Sequence, residues 1–263
     1  RSWTLDHVGP LTRTVRDNAR MLAAIAGADI DDSTTSDRAV PDYEAELAGS
    51  VAGLRIGLSL PEALVPVDPT VGAAVEAAAA ALGRLGATIV PARMPDFTAL
   101  YRAAEVIVKC EAASMHRPWM ESGAPYANQV RTRTDAGYFI PATQYIDALR
   151  LRAHFVREFL ATAMEEVDAV ILPAIPFPVP TIAETDVEAS GGPATLAMVA
   201  RFTGLTRPFN TLGLPALSLP CGFDGNGVPM GLQVIGRPFA EGLLYRIGHA
   251  YQGATDHHRR VPA

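Results

Sequence analysis

A single lysine, Lys109, serves all 263 residues. If the chemistry needs a lysine base, it is this residue or one supplied from elsewhere. Two cysteines, Cys110 and Cys221, are too few for a disulfide framework and show no CxxC spacing, which points to reduced core thiols in a cytoplasmic chain. No basic run is longer than Arg259-Arg260 and the formal charge is −6, so there is no electrostatic footprint for nucleic acid or an anionic membrane. The longest strongly apolar stretch, residues 71–82, is interrupted by Glu76 and too short to span a bilayer, and no signal-peptide pattern occurs. GxSxG elbows, Walker loops, HExxH pairs and zinc-spaced Cys/His clusters are also absent.

What is present describes a globular α/β chain, with 49% hydrophobic and 19% charged residues, enough to bury a large core. A helix is predicted over Thr14–Ala26, with Thr14 and Asp17 in capping-box spacing, an apolar face of Val15, Ala19, Leu22, Ile25 and Ala26, and Gly27 as the stop. The β-rich run 54–60, the Ala-rich helix 70–86 and the strand 87–92 form a strand–helix–strand unit, for which a parallel crossover is the expected geometry. Helices are predicted over 97–121, 142–167 and 194–203, with an irregular segment between the first two. The apolar run 168–174 reads as a strand buried on both faces. Residues 214–223 and 229–237 read as a hairpin turning at Asp224–Gly227, before a last helix over 241–251.

Several features resemble sites and have blander readings. The loop containing Asp29, Asp31, Asp32 and Asp37 lacks the glycine of a calcium loop and has Val40 where a bidentate acid belongs, so a solvated acidic loop is expected. The glycine-rich 221–231 segment lies between two strands rather than before a helix, which suits a hairpin and not a phosphate cradle. Ser190 beside Gly191 and Gly192 could form an oxyanion-type turn or simply a loop before a helix. His257 and His258 read as a polar tail, and His7, His116, His154 and His249 have no partner at fixed spacing. Lys109 sits in a predicted helix among apolar neighbours, where a lysine ordinarily snorkels to the surface.

Four segments, in order, resemble the C-terminal half of the amidase signature family. They are TLDHVGPLTRTVRDNARMLAAIAGADIDD; the long stretch from RTRTDAGYFIPATQYIDALRLRAHF to VILPAIPFPVP, which includes Tyr145 and Arg152; RPFNTLGLPALSLPCGF; and GVPMGLQVIGRPFAEGLLYRIGHAY. The resemblance covers nearly the whole chain. It implies the C-terminal portion of an α/β/α sandwich with a mixed central sheet, one incomplete domain over residues 1–263, and amide hydrolysis without a cofactor. In that family a serine nucleophile, a second serine on a cis peptide and a neutral lysine carry the reaction.

The family's catalytic lysine and Gly/Ser-rich segment lie upstream of the part matching residues 1–27, so no catalytic residue is expected in this chain. The resemblance puts the loop after the buried strand and the Phe-Asn run beside the acyl pocket. This nominates Phe177, Phe209 and Asn210, with Tyr138, Phe139 and Ile140 in a variable segment that often covers the pocket. Core packing is the alternative for the phenylalanines. Local turn formation is the alternative for Asn210, and Gln233 is expected to serve the sheet.

Two readings stay open. The chain is the C-terminal portion of an amidase acting on a small-molecule amide, completed by an N-terminal half or a second polypeptide, with homo-oligomerisation possible. Alternatively it is a truncated, non-catalytic chain that only packs against a partner. A fragment of this kind exposes sheet edges and apolar surface, which favours completion. A cysteine hydrolase using Cys110 or Cys221 is the rival enzyme.

Overall fold

Local capping starts the first helix where the sequence places it. Thr14 Oγ1 accepts from the Asp17 amide at 3.1 Å, and the Asp17 carboxylate accepts from the Thr14 hydroxyl at 2.6 Å, which opens α1 (Val15–Ile25). The computed structural model describes residues 2–61, 65–186, 197 and 200–260, and these divide into two compact units.

The larger unit comprises Val8–Met94, Leu160–Val179 and Leu214–Ala263. Its elements are α1, α2 (Tyr43–Glu46), β1 (Arg55–Leu58), α3 (Pro69–Arg84) and β2 (Thr88–Pro91), followed by β3 (Ala169–Pro173), β4 (Ala216–Phe223), β5 (Pro229–Ile235) and a last long helix, Glu241–Ala254. The sheet order is β2-β1-β3-β5-β4. β1 runs parallel to both β2 and β3, with Ile56 opposite Ile89 and Ala169, while β5 runs antiparallel to β3 and β4. This is the strand–helix–strand unit and the hairpin that the sequence predicts, in a mixed sheet.

Asp68 caps α3 through the Thr70 amide at 2.8 Å, and Pro69 begins the helix where a missing N–H costs nothing. The helix buries Val71, Val75, Ala78, Ala79 and Leu82, sharing a core with Ile56, Ile171, Leu232 and Val234 of the sheet and Leu244, Ile247 and Tyr251 of the last helix. Every residue of β3 is buried, as expected of a central strand. Gly57 on β1 is needed for close approach, since a Cβ there would stand 2.7 Å from the Ala92 methyl. At the hairpin, the Asp224 carboxylate accepts from the amides of Asn226 and Val228, and Gly227 has φ +78°.

The smaller unit comprises Arg1–His7, Pro95–Phe159 and Pro180–Gly213. It carries α4 (Thr98–Glu121), α5 (Asn128–Asp135), a 3-10 turn at Ala136–Phe139, α6 (Ala142–Thr162), α7 (Ile182–Thr185) and α8 (Arg207–Leu212), which makes the helix at Glu241–Ala254 α9. A Cβ on Gly137 would lie 2.1 Å from the Lys109 carbonyl oxygen, so the 3-10 turn seats directly on α4. The aromatic core of this unit is Phe97, Phe159 and Phe209, with ring centroids 5.7–6.5 Å apart.

Several expectations are corrected. Ile25 is 49% exposed, so the buried stripe of α1 stops at a half-buried Leu22. α6 ends at Thr162 rather than at residue 167, and α5 and α8 are helical where no helix is predicted. The tail is ordered: His257–Arg259 form a 3-10 turn, with the His257 ring 5.9 Å from Phe223 and 6.4 Å from Tyr251. The predicted helix 194–203 and the Ser190–Gly192 turn lie largely or wholly outside the described residues.

Candidate functional site

The most polar buried constellation of the smaller unit is built on α4. Leu100, Ala104, Ile107 and Glu111 follow one another at helical spacing on its buried stripe, and Glu111 is only 6% exposed. Its carboxylate accepts from the hydroxyl of Ser2, from the amide and hydroxyl of Thr4 at 3.0 and 2.8 Å, and from the hydroxyl of Tyr145 on α6 at 2.9 Å. Burial alone pushes this carboxyl up, but the bonds from Ser2, Thr4 and Tyr145 outweigh it and hold Glu111 below the ordinary carboxylate range. Burial and then Glu111 itself push the Tyr145 phenol up to about 12, so it remains a donor.

Two turns along α6 from Tyr145, Arg152 donates from Nε to the Thr211 carbonyl at 2.9 Å and faces the Glu111–Tyr145 pair electrostatically. A carboxylate satisfied by so many donors is an anchor rather than a base. It ties residues 2–4 to α4 and α6. Sequence reasoning passes over Glu111; the available signal is an acid standing on an otherwise apolar helical stripe.

A second feature belongs to the larger unit. At the carboxyl ends of β1 and β2, Leu58, Leu60, Ile89, Val90 and Pro91 line an apolar cleft of about 320 Å³. Carboxyl ends of parallel strands are where open α/β sheets commonly bind ligands. This cleft offers no polar side chain to orient one.

The nominated substrate-side residues occupy different settings. Phe139 is 86% exposed at the end of the 3-10 turn, Tyr138 is exposed and donates to the Ala113 carbonyl at 3.1 Å, and Ile140 is half-buried. Phe209 is 2% exposed within the aromatic core. Asn210 is exposed on α8, and its backbone carbonyl accepts from Gly213, a left-handed cap at φ +66°. Phe177 is half-buried in the larger unit, in the loop after β3. Gln233 serves the sheet as expected, donating from Nε2 to the Pro173 carbonyl at 3.0 Å.

Among the described residues, the lysine is paired and the two thiols are raised by burial. Lys109 Nζ pairs with Glu105 Oε1 at 2.7 Å, one helical turn away. Burial pushes the Cys221 thiol up to about 12, and burial followed by Glu111 raises that of Cys110, so neither is an activated nucleophile. In the acidic loop the Asp29 and Asp32 carboxylates accept local amides, and no group of three or more potential metal-ligating residues occurs among the described residues. Among the described residues no helix is long and apolar enough to cross a membrane.

Comparison with known proteins accords with this architecture. The sequence profile of the Amidase family matches residues 1–245. An amidase of Pseudomonas putida is 37% identical over 262 residues, which cover 99% of this chain and 56% of that protein. A glutamyl-tRNA(Gln) amidotransferase subunit of Myxococcus xanthus is 35% identical over 283 residues, covering 98% and 56% respectively. A solved structure from a vestigial complex bearing on the origins of an s-triazine catabolic enzyme superposes with a TM-score of 0.80 at 28% identity, over 96% of this chain and 54% of that one. The chain therefore spans about half the length of the relatives it matches. With a family profile over most of its length and a fold that superposes on that of a solved relative, the chain belongs to the amidase signature family.

Proposed function

We propose that this chain is the C-terminal portion of a single amidase domain that hydrolyses a small-molecule amide. In this reading the serine nucleophile, the cis-peptide serine and the lysine base lie on polypeptide outside these 263 residues. The observation that carries it is a mismatch of length and chemistry. The chain matches only 56% of an amidase, and its one lysine is held by Glu105 while its two thiols are raised by burial. The reaction it would complete is attack of a serine oxygen on the amide carbonyl, departure of the amine with a proton from the base, and hydrolysis of the acyl-serine by water.

Within that scheme this chain contributes shape to the acyl side. Phe139 and Ile140, at the end of the 3-10 turn, and Phe177, after β3, are the exposed or half-buried candidates for contact with substrate. Phe209 seats α8 in the aromatic core of the smaller unit, and Asn210 is exposed on the same helix as a further candidate. The two unbridged thiols favour a cytoplasmic setting.

The test compares two proteins against a panel of aryl and alkyl amides. One is the isolated 263-residue chain; the other is the same chain joined to the unmatched part of the P. putida amidase. Hydrolysis by the joined protein alone is expected. Robust turnover by the isolated chain would overturn the placement of the catalytic residues.

A further inference from the structure

We infer that the turn at His257–Arg259 is an acid-released clasp, docked on the end of β4 and on α9 while its two histidines are neutral and lifted off when they are protonated. The clasp lies wholly within the larger unit and is independent of the function proposed above.

Aromatic contacts seat the turn. The His257 ring lies 5.9 Å from Phe223 on β4 and stacks on Tyr251 of α9, with centroids 6.4 Å apart and planes 30° from parallel. The Arg260 guanidinium sits over the Phe223 ring at 5.1 Å, so that ring carries both ends of the turn. Local bonds give the turn its shape. The Asp256 carbonyl accepts from the Arg259 amide at 2.8 Å, and the Asp256 carboxylate pairs with Arg260 at 3.3 Å. Extended backbone at Thr255 carries the chain off α9, while the Thr255 hydroxyl donates back to the Tyr251 carbonyl at 2.9 Å.

The histidines make this docking conditional on their charge. The Nδ1 atoms of both His257 and His258 are buried without a hydrogen-bond partner. A neutral imidazole tolerates such a setting, because the nitrogen that lacks a partner can be the one that carries no proton. An imidazolium does not: each of its nitrogens bears a proton, and a charged N–H would point into protein that offers no acceptor. That penalty is relieved when the turn leaves its seat and water reaches Nδ1.

The neighbouring charges add to the penalty. Burial first, then Arg259 and His257, hold His258 below the ordinary histidine range against the pull of Asp256. Asp256 is itself paired with Arg260. From β4 the ionisable group is Cys221, and from α9 the ring stacked on His257 is Tyr251; burial keeps the thiol and the phenol protonated, so neither supplies an anion. The negative end of α9 favours a cation only within its last turn, and Thr255 takes the histidines past it. Because His258 is lower in the docked turn than in a free one, docking is complete above the free histidine value of about 6.5. It is lost as pH falls from there through the docked value.

The experiment is residue-resolved amide hydrogen exchange on the 263-residue chain and, in parallel, on the joined protein, corrected for the intrinsic pH dependence of exchange. Between about pH 7.5 and 5, protection of the Arg259 amide is expected to fall about tenfold or more, while the amides of β3 keep theirs. His257→Phe combined with His258→Leu keeps apolar bulk and removes both titrating rings, so protection in that variant is expected to be independent of pH. Imidazole NMR titration of the unaltered chain reads the same event directly: His258 is expected to titrate below the free value, in step with the loss of protection at Arg259. Flat protection in the unaltered chain overturns the clasp. So does an equal fall in the double variant, which would hand the effect to a carboxylate such as Asp256. If the double variant is already unprotected at neutral pH, the titration decides, and a His258 that titrates at or above the free value overturns the clasp.

Discussion

Tyr145 on α6 donates its hydroxyl to Glu111 Oε1 on α4 at 2.9 Å, closing a buried cluster that also holds Ser2 and Thr4. Since the carboxylate is bonded in its ionised form, the cluster ties the stability of the smaller unit to pH. Glu111 is depressed in the fold, so its contribution is complete above the ordinary glutamate value of about 4.3. It is lost as pH falls from there through the folded value. Glu111→Gln is expected to cost about 2 kcal/mol at neutral pH, because donors arranged for an anion meet an amide. It should also flatten the acid limb of a denaturation series run between about pH 3 and 7.

Tyr145→Phe removes one donor and leaves the rest. The expected cost is about 1 kcal/mol, with the Glu111 carboxyl moving back toward its ordinary range. Carboxyl-carbon NMR titration of Glu111 in the variant reads this directly. An unchanged titration would show that Ser2 and Thr4 alone set its charge state.

Gly137→Ala is expected to be among the most damaging single-methyl changes in the chain. The added Cβ would fall 2.1 Å from the Lys109 carbonyl oxygen and 2.7 Å from the Ala113 methyl, in backbone that cannot step aside without lifting the turn off α4. Overpacking of this kind costs roughly 3 kcal/mol. Chemical denaturation of the variant measures it, and a loss below about 1 kcal/mol would mean that the turn shifts freely.

Legibility in the sequence followed the strength of each local signal. β1, α3 and β2 are readable because an Ala-rich helix closing on Gly86 lies between two short, largely apolar runs, and the β4–β5 hairpin is readable from its Asp-Gly-Asn-Gly turn. α5 is not: NQVRTRTD is polar on nearly every side and offers no apolar stripe. α8 has only six residues, too few for a period, and the proline in its first turn suits a β-turn equally well. For the site, family resemblance nominated the aromatic positions, but whether an aromatic lies at the surface like Phe139 or in the core like Phe209 depends on tertiary packing. Glu111 escaped because its role appears only when residues more than a hundred positions apart are brought together.

The contrast between those two phenylalanines gives the clearest separation of shape from function. Phe209 fills the space between Phe97 and Phe159, so Phe209→Ala is expected to cost about 4 kcal/mol by opening a cavity, whatever the chain does. Phe139 is 86% exposed, so Phe139→Ala should change stability by no more than about 0.5 kcal/mol. If its ring meets the acyl side of the substrate, the same variant raises KM for bulky amides in the completed enzyme several-fold while small amides are turned over as before. Steady-state kinetics on a graded series of acyl groups, beside a thermal melt of each variant, checks both. Equal effects on every acyl group would remove Phe139 from the substrate surface and leave it a solvent-exposed ring on the α4 side of the smaller unit.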